Sequence, residues 1–116
     1  MLVSMCKSKI HRVTVSDTNI NYEGSITIDT QLMELAGIVE YEQVHVVNVN
    51  NGNRFETYVM KGNKGDIILN GAAARLAVKG DKVIIIAYGY LKQKNAEGHI
   101  PRIVLVNDQN EPITKK

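Results

Sequence analysis

The chain has 116 residues, enough for one sizeable core and too few for two. Its 44% hydrophobic and 22% charged content reads as globular, and a net charge of +2 falls short of the cationic excess of a duplex-binding domain. Leu2-Val3 is too short for a signal peptide or membrane span, and a single cysteine, Cys6, excludes an internal disulfide framework, so a reducing, cytoplasmic setting is expected.

In chain order, Lys7, Lys9, His11 and Arg12 make the densest basic cluster, which fits a solvated strand face. Ile10 to Val15 is rich in β-branched residues and predicts a strand. Ile26-Thr27-Ile28 alternates in strand fashion just after a Gly-Ser pair. Asp29 then caps a predicted helix from Thr30 to Ala36, which Gly37 ends. Gln43 to Val49 predicts a strand, Asn50-Asn51-Gly52-Asn53 a hairpin turn, and Arg54 to Met60 the returning strand. Lys61 to Asp66 is a Gly-rich connection before the short strand Ile67 to Leu69.

Asn70 to Ala77 reads as a turn feeding a short helix, and Lys79-Gly80-Asp81 as another turn. Lys82 to Tyr88 contains the most apolar run, Val83 to Ala87, expected to be buried on both faces. Residues 91–99 read as a polar loop, Ile103 to Val106 as the last strand, and Asn107 to Lys116 carries little signal. Many short strands, few short helices and no βα alternation predict a mainly β single domain, a closed barrel rather than a Rossmann-type sheet.

Most reactive constellations are absent. His11, His45, His99 and Cys6 lack metal-ligand spacing, and His45 alternates with valines as a strand-face residue does. Gly62-Asn63-Lys64-Gly65 lacks the ending and context of a phosphate loop, and the aromatics are too scattered for a base-stacking platform. By itself Gly24-Ser25 reads as a kink in a strand. It also offers a route to a ketone: Ser25 Oγ attacks the Gly24 carbonyl, the resulting ester is eliminated, and the dehydroalanine left behind hydrolyses to a pyruvoyl group. Gly at position 24 would suit this by adopting backbone angles that other residues resist. A ketone that condenses with a substrate amine is an electron sink for decarboxylation.

Four segments occur in order: Lys9-Ile10-His11-Arg12, Tyr22-Glu23-Gly24-Ser25, Asn51 to Tyr58, and Asn70-Gly71-Ala72-Ala73-Ala74. Together, from about Met5 to Tyr88, they resemble the pyruvoyl-dependent aspartate 1-decarboxylases. The resemblance implies a small double-psi β-barrel and a homotetramer. It implies a self-processing zymogen of one catalytic domain, cleaved into 1–24 (β chain) and 25–116 (α chain). The implied reaction is L-aspartate to β-alanine plus carbon dioxide, feeding pantothenate and coenzyme A synthesis.

The implied cofactor is the pyruvoyl group of Ser25, which forms a Schiff base with substrate; neither a metal nor pyridoxal phosphate is expected. Arg54 is implied as the substrate-carboxylate ligand, its planar fork suiting such a group. Binding the β-carboxylate is favoured, because holding the departing α-carboxylate would stabilise the ground state. Tyr58 is implied as proton donor to Cα; a phenol carries its proton at neutral pH. In an undistorted strand Arg54 and Tyr58 share a face. Thr57, implied in processing and substrate contact, faces the other way, which predicts a local irregularity or a contact across a subunit boundary.

Gly71, Ala72 and Ala73, with Asn70, are implied to line the site and let backbone amides approach the ketone. Lys9 and His11 are expected to pair with the new Gly24 carboxylate or with the substrate's charge, and Tyr22 to pack against the pyruvoyl group. Partners expected are aspartate, further copies of the chain and, as a further candidate, a maturation factor; nucleic acid and membrane are not. The alternative of a different class is a non-catalytic β-barrel interaction or DNA-binding module, which leaves Gly24-Ser25, Arg54 and Tyr58 without a role.

Overall fold

The computed structural model describes residues 1–113. Alternating apolar side chains build eight strands: β1 (Leu2–Thr14), β2 (Asp17–Asn19), β3 (Ser25–Asp29), β4 (Gln43–Asn48), β5 (Arg54–Gly62), β6 (Ile67–Asn70), β7 (Lys82–Lys92) and β8 (Arg102–Leu105). They join in one mixed sheet in the order β2-β6-β3-β5-β4-β7-β1-β8. The inward side chains of these strands, Ile10, Ile26, Val44, Val59, Leu69 and Ile85 among them, form a single buried cluster, so the protein is a small β-barrel with few helices.

The short α1 (Thr30–Ala36) has the predicted ends. The Asp29 carboxylate accepts from Gln31 N–H at 2.8 Å, and Gly37 adopts a left-handed φ of 68° while its N–H closes back on Glu34. Seven residues do not make a stable helix alone; Leu32, Met33 and Ala36, all buried, hold it against the core. Asp29 does more than cap, because its second oxygen accepts from Gly65 N–H at 2.8 Å and ties the turn after β5 to the end of β3.

Several sequence expectations need correction. β1 starts at Leu2, well before Ile10, because its first half pairs with the far end of β7, Leu2 opposite Lys92 and Cys6 opposite Tyr88. For the same reason β7 runs on to Lys92, and a short α2 (Gln93–Ala96) occupies part of the expected loop. Val83, Ile85 and Ala87 are fully buried while Ile84 and Ile86 are only half-buried, so that run faces the core on one side only. The basic cluster is not one solvated face. β1 bulges between Cys6 and Ser8 and between Ile10 and Val13, and Lys7 turns to Glu42, 2.7 Å away, and to the Gly37 carbonyl, 2.9 Å away.

The tail also carries more than its composition suggests. Asn110 is buried; its side chain accepts from Thr14 N–H at 2.8 Å and donates to the carbonyls of Thr14 and Gly65 at 2.8 and 3.1 Å. It therefore acts as an inserted peptide group for the end of β1. Residues 114–116 lie outside the described residues.

Candidate active site

Ser25 opens β3 and is fully buried. Its hydroxyl donates to the Glu23 carbonyl at 2.9 Å and accepts an N–H of Asn70 at 3.0 Å. Asn70 ends β6 directly opposite Ser25 in the antiparallel β3–β6 register, and is itself buried. Its amide nitrogen also donates to Thr27 Oγ1 at 3.0 Å. In a water-poor interior such a connected set fixes rotamers more firmly than the same groups would at the surface.

The Gly71–Arg75 turn, a 3-10 helix, follows Asn70 and lies along the Tyr22–Gly24 segment. Gly71 has a φ of 67°, and a Cβ there would sit 2.7 Å from Gly24 Cα and 3.1 Å from the Tyr22 carbonyl oxygen. The expected demand for glycine at position 24 is thus met one strand over. Gly24 has no left-handed φ and would have room for a Cβ, whereas Gly71 has neither freedom. Ala72 is exposed and Ala73 is half-buried against the core. The far end of the turn is anchored by three amides: Asn48, Asn51 and Asn53 all donate to the Leu76 carbonyl, at 3.2, 3.0 and 3.2 Å. The hairpin that begins β5 and the turn beside Gly24 are therefore one unit.

Tyr58 lies on β5, which runs parallel to β3 with Val59 opposite Ile26, so Ser25 and Tyr58 occupy neighbouring register positions. The Tyr58 ring is packed by Tyr41, centroids 6.2 Å apart. Tyr41 holds an unusual φ of 69°, pinned by its N–H to the Val59 carbonyl at 2.7 Å. The β4–β5 register from Gln43–Tyr58 to Val47–Arg54 is unbroken, so the irregularity anticipated at Thr57 is absent, and Thr57 is half-buried opposite Val44.

Arg54 shares Tyr58's face as anticipated, but four residues of strand put their Cα atoms about 13 Å apart. Arg54 is exposed, and among the described residues no carboxylate pairs with it. Lys9 lies on β1, four strands from β3 in the sheet order, and His11 sits in the second β1 bulge next to a left-handed Arg12. Burial, then the Lys9 and Arg12 charges, hold the His11 pKa below its ordinary 6.5. Tyr22 is half-exposed with its ring free of the core. One chain thus gathers Gly24, Ser25, Asn70, Gly71 and Tyr58, and leaves Arg54, Lys9 and His11 apart.

Two clefts of about 490 Å³ lie elsewhere, one beside α1 and one on the outer sheet face among Gln43, His45, Glu56 and Tyr88; Ser25 lines neither. His45 is a strand-face residue as expected, its Nε2 2.9 Å from Glu56 and its ring edge-on to Tyr88. Among the described residues no cluster of three potential metal ligands occurs, and no helix is long and apolar enough to cross a membrane. Thr27 and Tyr41 were missed from sequence. Thr27 had a signal, the two-residue period that places it on Ser25's face, whereas nothing local marked Tyr41.

The family model described as aspartate decarboxylase matches residues 1–113, well past the limits of the four motifs. A protein named aspartate 1-decarboxylase from Caldicellulosiruptor saccharolyticus is 60% identical over 115 residues, covering 97% of this chain and 90% of its own. Its namesake from Kosmotoga olearia is 62% identical over 113 residues, covering 96% of each. The one from Leptospira biflexa is 53% identical, covering 97% and 98%.

Proposed function

The chain belongs to the aspartate decarboxylase family, and on that footing we propose that it decarboxylates L-aspartate to β-alanine, for pantothenate synthesis, through a pyruvoyl group made from its own Ser25. The observation that carries the cofactor assignment is the buried Ser25 hydroxyl, held by Asn70 at the Gly24–Ser25 bond with Tyr58 one strand away.

Self-cleavage begins when Ser25 Oγ bonds to the Gly24 carbonyl carbon. The C–N bond breaks and the hydroxyl proton ends on the released nitrogen, giving an ester. Loss of the Ser25 Cα proton then breaks the Cβ–Oγ bond, so Gly24 departs as a carboxylate and position 25 becomes dehydroalanine. Water converts this to the ketone and ammonia leaves. The Asn70 N–H already points at the oxygen that gains negative charge as Gly24 departs, the arrangement in which a fixed donor lowers a barrier most. Gly71 lies backbone to backbone against Gly24, so the turn that carries it borders the bond that the hydroxyl attacks.

The mature group supplies an electron sink for the electrons left at the substrate's Cα. Around it, Tyr58 holds a phenolic proton at the neighbouring strand position, where it can return a proton to Cα. Arg54 clamps the β-carboxylate through two parallel hydrogen bonds. The gap along β5 allows an Arg54 supplied by a second copy. So does the sheet's outer face, where half-buried Val47, Ile84 and Ile86 and exposed Tyr88 and Tyr90 stand among Arg54, Glu56 and Lys9. A homotetramer with sites between copies accommodates both, with Lys9, His11 and Thr57 acting across the boundary. The single thiol, Cys6, fits a reducing cytoplasm.

Denaturing intact-mass spectrometry tests this. Two species are expected, residues 1–24 and residues 25–116, the second lighter by one ammonia than hydrolysis requires, together with carbon dioxide release from aspartate. Ser25→Ala should remain one chain without activity; an active Ser25→Ala protein would end the proposal.

A further inference from the structure

We propose that Thr27 is a positioning residue for self-cleavage, holding the Asn70 carboxamide so that its N–H faces the Ser25 hydroxyl. The inference rests on the reading of Gly24–Ser25 as the cleaved bond and adds a residue to it.

The side-chain amide of Asn70 has two N–H bonds, and its nitrogen has two oxygen partners at 3.0 Å, Ser25 Oγ and Thr27 Oγ1. Turned over, Asn70 would present its carbonyl oxygen to both hydroxyls. The Ser25 hydroxyl would then be drawn to donate to Asn70 and not to the Glu23 carbonyl, now 2.9 Å away, and Oγ would lose its donor. Such a flip rotates a planar group without changing its shape, so packing resists it weakly. The Ser25 hydroxyl hydrogen is already given to the Glu23 carbonyl, so Oγ is left to accept, and the N–H orientation of Asn70 is the one that suits it. Thr27, two residues along the same strand and on the same face, offers the same nitrogen a second acceptor and so anchors the carboxamide in place beside Ser25.

Thr27 is also a packing residue. Its Cγ2 methyl lies against Gly62, where an added Cβ would come within 2.6 Å of it. The two roles belong to different atoms and separate cleanly by substitution. Thr27→Val keeps the shape and methyl contact and removes the hydroxyl, whereas Thr27→Ser keeps the hydroxyl and removes the methyl.

The experiment follows cleavage of freshly purified full-length wild type, Thr27→Val and Thr27→Ser by intact mass, with thermal midpoints of each in an uncleavable Ser25→Ala background. Cleavage of Thr27→Val should slow by roughly tenfold or more, the loss of about one good hydrogen bond's orientation, while Thr27→Ser stays near wild type. The thermal midpoint should rank the other way, with Thr27→Ser the less stable. Equal slowing of both variants, slowing of Thr27→Ser alone, or no slowing would each overturn the assignment. A wild type that never yields residues 1–24 and 25–116 would instead overturn the cleavage reading beneath it.

Discussion

Gly71 meets Gly24 backbone to backbone, so the cost of any side chain at position 71 falls beside the bond proposed for cleavage. Gly71→Ala forces a Cβ into 2.7 Å of Gly24 Cα at a left-handed φ and should cost about 2–4 kcal/mol while stopping cleavage. Urea unfolding and intact mass on one preparation check both effects. His11 gives a second prediction. Its pKa is held low in the fold, so the unfolded chain takes up a proton first as pH falls. The stability tied to neutral His11 is therefore complete above about pH 6.5 and lost as pH drops through the folded pKa. Replacing His11 by Gln should flatten that acid limb of the stability curve. At this scale the motif residues stand out in the sequence only together, through the family resemblance of four segments in order, since each segment alone reads as an ordinary strand or turn. Thr27 was not singled out, since a strand threonine is ordinary until Asn70 is placed beside it.

The elements most faithfully read were those whose signals are local. Asp29, Gly37 and the apolar spacing of Leu32, Met33 and Ala36 lie within nine residues and define α1 without help from the rest of the chain. Leu32→Ala should cost about 2–5 kcal/mol, seen as a lower denaturation midpoint, because the helix has little intrinsic stability and depends on that burial. The first half of β1 and the last third of β7 escaped notice for the converse reason. Each is only partly buried and lacks a clean two-residue apolar alternation, and each is a strand only because the other is there. Asn110 is the sharper case. Three hydrogen bonds to Thr14 and Gly65 join residues far apart in sequence, and Asn110→Ala should cost about 2–3 kcal/mol by leaving those backbone groups unpaired.

For the whole molecule, Arg54 and Tyr58 raise the question of whether one chain or two build a site. The two-residue period puts them on one face, and the rise per residue sets their Cα atoms about 13 Å apart, a span that their two long side chains can close on one substrate or that a second copy can fill. Mixing inactive variants tests whether copies share a site. Ser25→Ala and Arg54→Ala chains, co-expressed, should recover activity that neither shows alone, because some sites then combine an intact Ser25 with an intact Arg54. No recovery would place Arg54 with its own Ser25. The position of β1 has a consequence for the finished protein. It is hydrogen-bonded on both edges, between β7 and β8, and under the proposed cleavage it belongs wholly to the piece that ends at Gly24. With that bond cut as proposed, unfolding would change molecularity, because one folded body would dissociate into two chains. Melting then shifts with protein concentration even within a single barrel, and a diluted, denatured sample has no tether to bring β1 home.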